Sequence, residues 1–494
     1  MKKIYIVVLL FLSSLTACND WLEVTPIYDL DENNAFSSAD GFNTALRGLY
    51  QKASSSDLYG KNLQWGLLSG MAQTYPDPWD NTVWYGMKFN YTHSYTKNAI
   101  EAIWGGLYNV VANANLLINN VKNTTVLDTL QRDRIHGEAL GMRAIMQLDV
   151  VRLFAPAPTT TGGNEKLVPY HDKFPSEFTV PVSTNETLDL IIRDLKKAAE
   201  LLAPYDTIAN KGLAFSTNWA NDDYWYRQKQ RGYHFSYMAA VAYLSRAYMY
   251  KGDYENALHY ARNFYETFIQ KSTLRKYPLF VFDPGYGGGQ SGYKTYKCIS
   301  EAIFSLYEPT LTDIMVAYQK STYGFGLFFG EDTEGLVYNL FGDDLDDMRL
   351  NQFETREIES SQLEGTAQLV YSKRFDESEG PYHFERVTMP VIRTSEIYYN
   401  MIECYYRAGN ETEALRLLNE WRKGKKMSRK IESVMSLYDL QDIIINDARR
   451  DWLLEGQTFF MYKRMNRHMI DMYDNVIAVP EEGFTFDIPD SQNL

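Results

Sequence analysis

Two stretches of this chain carry the same helix–turn–helix register, and they constrain the fold more than any other feature. In Val241–Phe264 (VAYLSRAYMYKGDYENALHYARNF), Val241, Leu244, Ser245 and Tyr248 fall at i, i+3, i+4 and i+7 and share one helical face. Gly252-Asp253 interrupts that helix: glycine accepts the left-handed conformation of a helix end, and aspartate caps the next start. Ala257, Ala261 and Phe264 form a second apolar stripe, so the stretch predicts an αα-hairpin. The register returns at Tyr398, Met401, Ile402, Tyr405, Gly409, Ala414, Leu418 and Trp421, and in both copies the glycine precedes the small residue of the second helix by five positions. The copies are not tandem. A large insertion therefore interrupts a helical scaffold.

The register of small and aromatic positions resembles a tetratricopeptide unit. Further helices are predicted over Ser38–Gln51 (Phe42, Ala45, Leu46 and Leu49 on one face), Ile100–Val121 and Arg134–Phe154. Ser183 and Glu186 have capping-box spacing before the stripe Leu188, Ile191, Ile192, Leu195, Ala199, Leu202. Residues 52–97 read as irregular and aromatic-rich, and residues 270–390 lose helical period, with Gly- and Tyr-rich runs near Tyr277–Tyr296 and 320–345. Glu301–Tyr307 and Gln368–Phe375 alternate as short strands do, and helices resume from Val391 to about Arg467.

The amino terminus is a targeting segment. Lys2-Lys3 precedes the apolar run Ile4–Leu12, too short for the ~20 residues of a membrane-spanning helix but suited to secretion. It ends in Leu15-Thr16-Ala17-Cys18, which resembles a bacterial lipoprotein box with Cys18 as the lipidated residue and 1–17 removed. The expectation is a chain anchored to a membrane without spanning it. The full chain carries −14; without Lys2 and Lys3, 47 basic residues face 63 acidic ones, a charge of −16. That balance argues against a nucleic-acid partner, which requires a basic surface. The cysteines Cys18, Cys298 and Cys404 make neither a disulfide framework nor a metal-ligand pattern.

Six further pieces occur in a fixed order: WLEVTP after LTAC; Phe36–Tyr50 (FSSADGFNTALRGLY); Val111–Ile118 (VANANLLI); Gly137–Phe154 (GEALGMRAIMQLDVVRLF); Arg393–Glu403 (RTSEIYYNMIE) with Ala414–Arg422 (ALRLLNEWR); and Arg449–Gly456 (RRDWLLEG). Together they resemble the SusD/RagB family of outer-membrane nutrient-binding lipoproteins over essentially the whole chain. The resemblance implies an all-α fold: one domain over 18–494 with four tetratricopeptide-like hairpins near 131–202, 238–268, 391–423 and 438–465. It places the ligand site in the loop-rich parts, 52–97 and 270–390. It also implies a partner, a SusC-like TonB-dependent outer-membrane transporter, beneath a lid-like, cell-surface lipoprotein. Thr458 and Met461 depart from the Arg and Asp common in the family's terminal helix, which reads as the loss of one surface ion pair.

No catalytic signature stands out: HExxH, GxxxxGK[ST] and GxSxG are absent, and the seven histidines are scattered. The acidic run Asp343–Asp347 lacks the spacing of a calcium loop and reads as a solvated turn. No cofactor or metal is expected. Binding of a glycan calls for rings, whose faces stack on sugar C–H surfaces. Trp79, Trp84 and Tyr85, spaced too irregularly for a helix stripe, and Tyr286, Tyr293 and Tyr296, on a Gly-rich loop, are the candidate ligand residues. The expected function is glycan capture and delivery to the transporter, without chemistry. The rivals are a peptide-binding protein of the same family, a lipoprotein glycosidase whose carboxylate pair meets only in the fold, and a tetratricopeptide scaffold that binds only protein.

Overall fold

A computed structural model describes residues 35–76, 78, 80–209, 231–270, 280, 282, 296–311, 313–315, 333–360, 365–375, 387–480 and 482–489. Helices dominate. Helix α1 (Ala39–Ala53) is capped by the Ser38 hydroxyl, which accepts from Gly41 N at 3.2 Å, and buries Phe42, Leu46 and Leu49. Short helices α2 (Leu67–Met71) and α3 (Asn81–Met87) lead into the long helices α4 (Ser94–Val121) and α5 (Thr129–Phe154). Residues 52–97 are thus more helical than their irregular pattern suggests, because α2 and α3 are too short to show a period.

Helix α5 is buried on nearly every side over its second half, which is why its apolar residues make no stripe. Its glycines permit that crowding. A Cβ on Gly141 would lie 2.0 Å from the Phe235 ring, and one on Gly137 would lie 2.7 Å from Leu202. Its buried charges are satisfied. Glu138 meets Arg231 at 2.6 Å and Arg134 at 3.1 Å, and Arg143 meets Asp194 at 2.5 Å and Asn115 at 2.8 Å. Burial alone would raise the Glu138 carboxyl, but Arg231, His234 and Arg134 hold it well below the ordinary range.

Helix pairs follow: α5 with α6 (Thr184–Ala203), then α7 (Tyr237–Lys251) with α8 (Tyr254–Phe264). After the insertion come α10 (Thr394–Arg407) with α11 (Glu411–Gly424) and α12 (Leu437–Asp451) with α13 (Gln457–Met465); α9 (Thr333–Phe341) lies within the insertion. The capping box at Ser183 and Glu186 is formed. Gly252 has φ +84° and Gly409 φ +77°, the conformation each turn requires, and Asp253 and Asn410 cap the helices that follow. Helix α8 packs on α10, so the two register copies are neighbours in space despite the insertion between them.

The described parts of the insertion form small antiparallel ladders. Strand β1 (Ala302–Tyr307) pairs with β4 (Thr388–Arg393), and β2 (Phe353–Ser360) pairs with β3 (Gly365–Ser372). Two expectations are corrected here. Helix does not resume at Val391, because 388–393 completes the β1 ladder and α10 starts at Thr394. The segment 320–345 is not all loop, since it contains α9.

The insertion is fastened to the last helix pairs by buried charge. Arg393, at the end of β4, meets Asp451 at 2.6 Å, Glu301 at 3.1 Å and Glu455 at 3.1 Å. Lys425 meets Glu301 at 2.6 Å and Asp451 at 3.4 Å, and Arg349 contacts Asp347, Asp447 and Asp451. The acidic run is thus only half a solvated turn: Asp343 and Asp346 are exposed, but Asp344 pairs with Arg422 and Arg450, and Asp347 with Arg349, all buried. Thr458 and Met461 are also buried, so their departure from the family pattern falls at packed positions and not on the surface.

Candidate ligand-binding site

The aromatic segment between α2 and α4 is built from its inner face outward. Asp80 accepts from Thr82 N at 2.8 Å and Val83 N at 3.1 Å, starting α3, while Lys61 holds the same carboxylate at 2.9 Å. Helix α3 sits tightly on α2. A Cβ on Gly86 would lie 2.5 Å from Leu67 Cδ1, and one on Gly70 would lie 2.5 Å from Val83 Cγ1. With Val83 and Gly86 inward, Trp84 and Tyr85 are left half-buried on the other side. The two rings therefore do belong to a helix, but to one seven residues long, too short to show as a stripe.

The chain then turns at Phe89 (φ +53°) and returns as α4, with His93 at its N-cap. The His93 ring lies parallel to Tyr85, centroids 3.5 Å apart at 12°, and to Tyr95, 5.6 Å apart at 10°. Tyr95 is 50 % exposed. Three near-parallel rings thus form a ladder at the surface, and Lys88 Nζ sits 4.7 Å over the ring of Trp84, the residue before Tyr85 on α3. Sequence reasoning missed His93, Tyr95 and Lys88. Their contribution depends on the turn that folds 91–95 back against α3, and spacing does not reveal that turn.

The same turn forms one wall of a cavity of about 260 Å³, lined by Tyr91, Thr92, Lys97 and Glu101 on one side and Asp487 and Pro489 on the other. Tyr91 fixes the far wall, donating to Gly483 O and meeting the Phe486 ring edge-on at 5.1 Å. Burial pushes the Tyr91 hydroxyl well above its ordinary pKa, so it remains a donor. The site can offer flat apolar faces, a cationic amine and hydroxyl or carboxylate partners.

Of the other sequence-derived candidates, Tyr296 is described and only 6 % exposed, packed with Cys298 and Met348 under Lys373, whose Nζ lies 5.1 Å from the ring centroid. It presents no open face. Cys18, Trp79, Tyr286 and Tyr293 lie outside the described residues. Among the described residues there is no cluster of three or more His, Cys, Asp or Glu side chains suited to a metal ion, and no helix long and apolar enough to cross a membrane.

Residues 20–221 match a family described as starch-binding and associating with the outer membrane, and residues 359–487 match the SusD family. No curated protein matches the chain. Solved structures do. A SusD superfamily protein from Bacteroides thetaiotaomicron VPI-5482 superposes with a TM-score of 0.64 at 20 % identity, covering 90 % of this chain and 92 % of that one. A SusD-like carbohydrate binding protein from Bacteroides vulgatus ATCC 8482 gives 0.67 at 14 %, covering 92 % and 96 %. A SusD superfamily protein from Bacteroides fragilis gives 0.64 at 18 %, covering 93 % and 98 %. These likenesses establish the fold.

Proposed function

The chain belongs to the SusD/RagB family, and from that premise we propose that it is a lipid-anchored, cell-surface protein of the outer membrane. It captures an oligo- or polysaccharide and passes it to a SusC-like TonB-dependent transporter, without chemistry of its own. Support comes from the family's description as starch-binding and outer-membrane-associated and from the carbohydrate-binding B. vulgatus relative. The observation that carries the reading is the parallel ladder Tyr85–His93–Tyr95: flat, partly exposed rings are what a sugar ring stacks on. Trp84 and Tyr85 are the ligand residues of this proposal, joined by His93 and Tyr95, with Trp79, Tyr286 and Tyr293 as candidates beyond the described residues. Anchoring is through Cys18.

Native gels cast with individual polysaccharides test the binding: one glycan class retards the wild-type protein, and Trp84→Ala with Tyr85→Ala runs unretarded. Retardation of both alike would remove the ladder from the account. A product released from any retained polysaccharide would identify the protein as a glycosidase. Metabolic labelling with a radioactive fatty acid tests the anchor, label in the wild type and none in Cys18→Ser being the expected pair. Co-purification with a TonB-dependent transporter from outer membranes tests the partner.

A further inference from the structure

The ladder is assembled from two pieces of chain that meet across a turn. Tyr85 belongs to α3, whereas His93 and Tyr95 follow the turn at Phe89. Local bonds shape that turn. Phe89 N donates to Gly86 O and Asn90 N to Tyr85 O, both at 2.9 Å, and the buried Thr96 hydroxyl donates to Asn90 O at 2.5 Å and His93 O at 2.9 Å. Among the described residues, the hydrogen bonds of 89–95 stay within α3, the turn and α4, with one exception. The Tyr91 hydroxyl donates to Gly483 O, 392 positions along the chain.

The segment that receives this bond is seated on the scaffold. Phe486 is buried, its N–H donates to Leu153 O at 2.9 Å, and its ring meets Phe154 edge-on at 5.6 Å, both at the C-terminal end of α5. Phe484 packs against Phe459 of α13, 5.9 Å between centroids. Tyr91 adds a ring contact to its hydrogen bond, meeting Phe486 edge-on at 5.1 Å. One side chain thus links the turn to the helical core through residues near the C-terminus. A stacking surface needs its rings held in place, and binding sites work when supporting contacts fix them to within about 0.5 Å. Bonds inside the turn set its shape, and the Tyr91 bond registers that shape on the scaffold, two residues before His93.

We propose that residues 483–486 are a brace for the ring ladder and that Tyr91 is its positioning residue, holding His93 flat on Tyr85. The proposal rests on the reading of the ladder as the glycan platform. It adds to the binding apparatus a C-terminal segment that holds none of the candidate stacking rings.

The test is magnetic resonance on the protein from Asn19 onward with isotope-labelled histidines, at one pH, together with calorimetric titration of the polysaccharide that retards the wild type in native gels. The His93 ring protons, identified by their loss in His93→Gln, should lie upfield, because the face of an aromatic ring shields protons above it and His93 lies 3.5 Å from Tyr85. Tyr91→Phe keeps the ring and removes only the bond to Gly483 O. It should move the His93 signals toward those of the free amino acid and weaken glycan binding about threefold to tenfold, the worth of one hydrogen bond. Tyr108→Phe is the matched control. It removes a hydroxyl that donates to Pro169 O at 2.9 Å, more than three turns beyond Tyr95 on α4, and should leave both readouts at wild-type values. A merely structural loss would lower Tm alike in both variants and move neither the His93 signals nor the affinity. Unmoved His93 signals or unchanged affinity in Tyr91→Phe, or an equal change in Tyr108→Phe, overturns the proposal. If the wild type binds no glycan, the platform reading falls, and the His93 signals alone decide whether Tyr91 sets the ladder.

Discussion

The charge cluster around Arg393 and the ring ladder around His93 use polar side chains in opposite ways. At Arg393 every charged group is buried and faces several opposite charges, so position is over-determined. At His93 the rings stack on one another and are only partly buried, with Tyr95 50 % exposed. The first arrangement fixes an insertion on its scaffold; the second is the candidate ligand surface. Two of the motifs that carry the family resemblance meet in the first region. Arg393 and Ser395 of RTSE meet Asp451, Trp452 and Glu455 of RRDWLLEG, with Trp452 Nε1 donating to Ser395 Oγ at 2.8 Å. Glu138 and Arg143 of GEALGMRA anchor further buried pairs. These three family motifs thus carry internal wiring, and the candidate ligand residues lie outside them.

The comparison is broken most severely at Arg393. Arg393→Met strands Glu301, Asp451 and Glu455 against fewer cations, and removing one partner from a buried network costs about 3–5 kcal/mol, a large part of a domain's 5–15 kcal/mol. Urea unfolding should show that loss in midpoint; a cost below about 1 kcal/mol would place the cluster with ordinary surface pairs.

Acid tests the same principle at another buried carboxylate. Burial pushes Glu403 up, but Arg464 and Arg407 outweigh it and hold its pKa down to about 2. Because the folded value lies below the unfolded one, the contribution is full above about pH 4.5 and disappears as pH falls toward 2. The depression from 4.5 to about 2 corresponds to on the order of 3 kcal/mol. Glu403→Gln should lower stability at pH 7 and flatten the acid limb of the stability–pH curve. An unchanged limb would mean that other carboxylates govern acid unfolding.

Packing gives a smaller effect. Gly141→Ala drives a methyl into the Phe235 ring and should cost about 1–3 kcal/mol, read by thermal melting, with Phe235→Leu restoring part of it. No loss would show that α5 has slack the structure does not display.

At the ladder the sign of the contrast reverses. Tyr85→Ala should leave stability within about 1 kcal/mol, typical of half-exposed positions, while removing a stacking face worth about 0.5–1.5 kcal/mol beyond its area. Binding should weaken roughly tenfold as measured by calorimetry. A variant that unfolds instead would make the ladder a packing device and erase the distinction between the regions.

The scaffold was legible in the sequence because its signals are local: the stripe of α6, the capping box at Ser183, the turn glycines Gly252 and Gly409. The insertion was partly legible. Strand β1 alternates and was visible, but its partner β4 runs straight into α10 and reads as helix. The charge cluster was hidden, since Asp344 and Asp347 look like any acidic turn until Arg422, Arg450 and Arg349 arrive from elsewhere in the chain. At the candidate site Trp84 and Tyr85 stood out as aromatic residues. His93 did not, because only the fold brings it parallel to two rings, and Tyr296, conspicuous on a Gly-rich stretch, is buried.

The most direct test of the account is calorimetric titration of the protein from Asn19 onward with oligosaccharides of several linkage types and a mixed peptide pool, repeated with Tyr85→Ala and Trp84→Ala. The account predicts heat with one glycan class, lost or sharply reduced in the two variants while their unfolding curves overlay the wild type. Heat with peptides alone, or glycan binding untouched by both substitutions, would contradict it.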